Sequence, residues 1–152
     1  MRTTIRTALS VLAALQLVLG VWTALFPRSF YEDVPTVDWT PPYSEHLFRD
    51  FGGVTLSTAV FLFAAAVWMD RRLVILALAA YLTFSVPHAI FHSEHLRGES
   101  PLGSAILLGL VIGSVLLPAL VIWLAWHALA PGAESRADYL SRRSEYRPDG
   151  CQ

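Results

Sequence analysis

The sequence predicts an all-α, integral membrane four-helix transmembrane bundle with both termini cytoplasmic, and three observations carry that reading. Of 152 residues 55% are hydrophobic and 15% charged, against roughly 45–50% and about 25% in soluble chains. Residues 7–27, 51–69, 73–93 and 101–132 contain no Asp, Glu, Lys or Arg, and about 20 residues of helix suffice to cross a hydrocarbon core. Within these runs, as in TLSTAVFLFAAAVWM, apolar residues occupy every side of the helix, where a soluble bundle would keep a polar face. The mean hydropathy of +0.50 agrees.

The first helix is expected over about residues 5–26. Arg2 and Arg6 ahead of an apolar run resemble a secretory signal, but the run exceeds the roughly 7–15 residues of a signal core and no small-x-small cleavage site follows. Pro27 suits a helix exit, and 27–45 is a connection rich in turn residues, long enough to fold over the bundle end. Its aromatic residues Phe30, Tyr31, Trp39 and Tyr43 suit an interfacial belt, with an aromatic substrate cage as the alternative. The second helix is expected over 46–69, with the Ser44 hydroxyl as its cap and Glu45 and Asp50 at its positive end. MDRRL is so short that the third helix, 73–95, must run antiparallel beside the second. The fourth helix, 102–130, is longer than a span requires, and Pro118 offers a kink. Ala105, Gly109 and Gly113 repeat every four residues along it, which permits close packing, either within the bundle or against a homodimer mate or larger complex. Residues 1–132 thus form the membrane domain, and 133–152 a polar cytoplasmic tail.

All eleven basic residues are arginine. Arg2, Arg6, Arg71, Arg72, Arg136, Arg142, Arg143 and Arg147 flank one membrane face, and only Arg28, Arg49 and Arg97 the other. The positive-inside rule therefore predicts a multi-pass protein of the plasma (inner) membrane, N-in and C-in. No basic patch suits nucleic acid. Cys151 is the lone cysteine, which excludes an internal disulfide and a CxxC site. No serine elbow, P-loop or dinucleotide fingerprint occurs.

One cluster stands out against this apolar background. In SVPHAIFHSEHLRG, His88, His92 and His95 share a stripe about 60° wide at the end of the third helix, with Glu94 pointing elsewhere. At the same outer face the second helix begins with Glu45, His46, Arg49 and Asp50, where His46 and Asp50 are spaced i, i+4. If the two faces meet, His46, Asp50, His88 and His92 form a metal- or cofactor-binding set, with His95, Glu45, Arg49 and Glu94 in a surrounding shell or second site. Imidazole and carboxylate suit a transition metal such as zinc, iron or copper; imidazole also suits an axial haem bond, a quinone carbonyl, or proton transfer. His88 to His95 spans about 10 Å of helix, too far for all three to hold one ion. His88 lies deepest, and ionisable groups inside a span usually serve a function. Gln16 is expected to hydrogen-bond between helices, and His127 to lie at the inner interface.

The segments LGVWTALFPRSFYEDVP, PPYSEHLFRDFGGVTLSTAVFLFAAAV and FSVPHAIFH, with their EHxxRD and PHxxxH pieces, resemble the small four-helix membrane proteins grouped as DoxX-like, over roughly residues 19–95. The resemblance implies a four-helix membrane fold and, as for members near DoxX itself, an association with quinone-linked sulfur oxidation and redox-stress complexes; it implies no catalytic residues. The leading expectation is an outer-facing His/carboxylate site for a transition metal, haem or quinone in a small redox component. The alternatives are a non-enzymatic accessory or assembly subunit, and a membrane isomerase or lipid-modifying enzyme.

Overall fold

A computed structural model describes residues 1–35, 37–39, 42–96 and 101–129. Arg97 and Glu99, and the tail at 133–152 with its arginines and Cys151, lie outside the described residues, as does the Trp39 side chain. The chain is helical: α1 (Arg2–Leu25), α2 (Pro27–Asp33), a 3-10 turn at Val37–Trp39, α3 (Glu45–Trp68), α4 (Arg71–Glu94) and α5 (Pro101–Ala128). All but α2 and the turn are long and apolar enough to cross a membrane, and only 22% to 33% of their most apolar windows is buried in protein. The outward remainder carries exposed Val60, Phe61, Phe63, Leu76, Leu110 and Leu116, a surface that fits a hydrocarbon surround. Four alternating spans bring residues 1 and 129 to one end, called here the termini end, and the 27–45 connection to the other, the loop end.

Two helix pairs build the bundle, and they are made differently. In the α1/α3 pair the backbones touch. A Cβ on Gly52 would stand 2.5 Å from the Ala24 amide nitrogen, and one on Gly20 would stand 2.9 Å from that of Leu56. Gly20 and Ala24 are one turn apart on α1, and so are Gly52 and Leu56 on α3, so the two contacts form one antiparallel seam. Each end of the pair is then tied by an arginine. The Arg49 guanidinium donates to the Ala24 carbonyl at 2.7 Å and to Glu45 at 2.9 Å, and Arg6 donates to the Ala66 carbonyl at 3.1 Å. Both acceptors lie in the last turn of a helix, where carbonyls lack helical partners and the dipole favours a cation.

Over α1/α3 at the loop end folds α2. Pro27 occupies its first turn, where a missing N–H costs nothing. Trp22 donates to Ser29 at 3.1 Å. Phe30 is buried between Trp22 and Phe48, ring centroids 5.6 and 6.0 Å away, while Tyr43 stacks on Phe48 at 5.9 Å and meets Tyr31 at 5.5 Å. Of the aromatic residues expected in a belt or cage, Phe30, Tyr31 and Tyr43 all pack on Phe48 and form a plug over this end of the pair. Ser44 precedes α3, but its hydroxyl makes no cap hydrogen bond, a correction for which the geometry offers no cause. Asp70 is the capping residue instead, accepting from the Leu73 amide at 3.0 Å after a left-handed Met69 ends α3.

The α4/α5 pair joins α1/α3 mainly at the termini end, where Ile5, Leu9, Leu62, Leu78, Val121 and neighbours form one core from all four spans. Tyr81 is the last α4 residue in it. Nearer the loop end Ala89, Leu107 and Val111 form a second core between α4 and α5 alone. The expected packing of Ala105, Gly109 and Gly113 into the bundle is not found: a Cβ on either glycine would meet nothing within 4 Å, and Ala105 is exposed. The reason is phase. α5 buries Leu107, Val111, Pro118, Val121 and Ala125, and Gly109, two residues after Leu107, lies about 200° around the helix from it.

Candidate functional site

Helical phase also decides what becomes of the two polar clusters. Phe51 faces α4, for its ring lies 5.2 Å from that of Phe84. At about 100° per residue, Asp50 then points about 100° and His46 about 140° away from that contact. His46 accordingly stands out from the protein, its side chain 88% exposed, and pairs with Asp50 of its own helix at 3.2 Å. Among the described residues no three His, Cys, Asp or Glu side chains are grouped so as to hold a metal ion. Depth brings His46 level with the α4 histidines, but rotation keeps it off their face.

On α4 the spacing does what the sequence suggests. Phe84, His88 and His92 climb one flank of the helix: His88 stacks on Phe84 at 5.0 Å and meets His92 edge to face at 4.4 Å. Phe91 continues the ladder, edge-on to His92 at 5.5 Å and stacked on His95 at 4.2 Å. His95 ends the helix with Nδ1 2.8 Å from the Phe91 carbonyl, so it serves locally. His88 and His92 are half-buried, and no described residue hydrogen-bonds to either ring.

The remaining expected residues disperse. Glu45 and Arg49 pair with each other and tie α3 to α1, and Glu94 is exposed. His127 is exposed beside Trp123. Gln16, expected to bond between helices, makes no such bond to any described residue. It lines a cleft of about 20 Å³ with Phe51, Thr55, Thr58, Tyr81 and Phe84, where the halves part; that space holds about one water molecule. The Thr55 and Thr58 hydroxyls donate to the Phe51 and Val54 carbonyls of their own helix. Tyr81 went unremarked in the sequence, though it is the one tyrosine inside an uncharged run.

Chemically, the ladder offers two imidazoles at one-turn spacing with aromatic faces above and below. A closed zinc site takes four protein ligands and a catalytic one about three, and α4 supplies two. Ligation of a haem on both faces is excluded for this pair alone, since two residues one turn apart on a helix cannot straddle a macrocycle. A flat carbonyl compound needs only N–H donors at its oxygen and rings to stack on. No family model, curated protein or solved structure matches the chain.

Proposed function

We propose that this chain is a multi-pass membrane protein that binds a lipid-soluble quinone against the His88/His92 flank of α4, as a small component of a redox complex. The observation that supports the reading is the pair of half-buried imidazoles on an apolar helix, without a hydrogen-bond partner among the described residues and set between Phe84 and Phe91. An imidazole N–H donates to a quinone carbonyl, and the phenyl rings supply stacking faces. Quinone reduction consumes two electrons and two protons; the histidines can pass protons at the carbonyl oxygen, and a partner protein supplies the electrons. The DoxX-like resemblance of the EHxxRD and PHxxxH segments points the same way. The arginine distribution favours an inner-membrane protein with both termini in the cytoplasm, which puts the histidine flank in the outer leaflet.

Assembly with a partner has its own support. The face bearing Ala105, Gly109 and Gly113 is open to close approach, and such seams pair membrane helices; a second copy or a helix of a larger complex would fit there as an accessory-subunit interface.

The test is a titration of the purified chain in detergent with a short-chain ubiquinone and a short-chain menaquinone, read by equilibrium dialysis. Saturable binding that weakens about tenfold or more in His88→Ala and His92→Ala supports the reading. Absence of saturable binding, or binding indifferent to both substitutions, overturns it. Parallel titrations with zinc and ferrous iron decide whether the imidazole pair takes a metal instead.

A further inference from the structure

A hollow among the described residues lies away from the histidines. It is an open cleft of about 340 Å³ at the loop end, between the end of α1, the start of α2 and the start of α3. Its wall is divided. Leu25 and Phe26, 61% and 60% exposed, form an apolar lip on the side that continues down α1. Arg28, Glu45, Arg49 and the Tyr43 ring form the rest. Because the spans end at this level, the apolar lip faces the hydrocarbon boundary and the charged wall faces the headgroup layer.

The two guanidiniums are held in place but not used up. Glu32 takes the Arg28 Nε–H at 2.8 Å, leaving both terminal nitrogens without a hydrogen-bond partner among the described residues. Arg49 is fixed by Glu45 and by the Ala24 carbonyl, and each of its terminal nitrogens retains one N–H. Thus a pair of ordered cations borders a hollow whose other side is greasy. Guanidinium forks match phosphate oxygens, and their fixed position reduces the ordering cost of binding. A free phosphate would use the cations and ignore the lip; a hydrocarbon chain would use the lip and leave the cations solvated. An amphiphile carrying a phosphodiester beside an acyl chain uses both.

We infer that the Arg28/Arg49 cleft is a phospholipid headgroup site, with the phosphate on the two guanidiniums and the first acyl carbons along Leu25 and Phe26. A bound lipid would then bridge α1, α2 and α3 and hold the aromatic plug over the loop end.

The experiment uses the full chain in detergent with added phosphatidylglycerol, diacylglycerol or inorganic phosphate, read by native mass spectrometry and by thermal unfolding. Phosphatidylglycerol is expected to remain bound and to raise the unfolding temperature, and neither diacylglycerol nor inorganic phosphate to do so. Arg28 makes no bond that holds helices together, so Arg28→Gln should leave lipid-free stability unchanged and weaken retention about fivefold or more, with Arg28→Lys in between. Retention of diacylglycerol equal to that of phosphatidylglycerol would sink the proposal, as would an inorganic phosphate effect equal to the lipid's. Unchanged retention in Arg28→Gln would do the same.

Discussion

The α1/α3 half and the α4/α5 half have similar composition and length, yet they are held by different forces. In the first, two glycine contacts let backbones meet, and two arginines tie the ends. In the second, the contacts are side chain on side chain, each helix carries an internal proline (Pro87, Pro118), and two glycines face outward. Lipid is as apolar as leucine, so burial adds little between spans and packing geometry decides which pair is firm. The firm half carries the loop-end plug; the looser half carries the histidines.

The sharpest way to break this contrast is Gly52→Leu. Its Cβ would collide with the Ala24 backbone, which cannot turn aside as a side chain can, so a loss of about 3 kcal/mol or more, or no folded protein at all, is expected in unfolding by SDS. Gly109→Leu is the matched control and should change the stability of the monomer by no more than about 0.5 kcal/mol. If the two substitutions cost the same, the halves do not differ as described. Next in size are the arginine ties. Arg49→Gln removes a cation from the end of α1, and Arg6→Gln from the end of α3; each should cost about 1–2 kcal/mol by the same assay. Asp70→Ala should cost about 1 kcal/mol through the lost α4 cap.

How much of this was legible beforehand follows from which physical quantity each feature depends on. Span number and extent depend on hydropathy and charge, which are local, so α1, α3, α4 and α5 fall within a few residues of expectation. The α4 ladder is also local: His88 and His92 share a face because they are one turn apart. Contacts between helices depend on rotation about each axis, which hydropathy leaves open when every face is apolar. That is why Ala105, Gly109 and Gly113 suggest a packing seam as readily as Gly20 and Ala24, which share their four-residue spacing and do form one against Gly52. The Asp70 cap was readable from an acid just before an apolar run; MDRRL drew attention to its brevity instead.

His46 makes the smallest and most discriminating prediction. Sequence depth alone joins it to His88 and His92 in one site, whereas its phase on α3, about 140° from the Phe51 contact, turns it outward beside Asp50. His46→Ala removes only an exposed i, i+4 pair, so stability should move by less than about 0.5 kcal/mol. Quinone retention should stay at the wild-type level while His88→Ala lowers it. If instead His46→Ala weakens binding as much as His88→Ala does, the liganded protein must bring both clusters together. With α3 locked on α1 by Gly52 and Arg49, the α4/α5 half would then be the moving part, and the contrast between firm and loose halves would become a statement about mechanism.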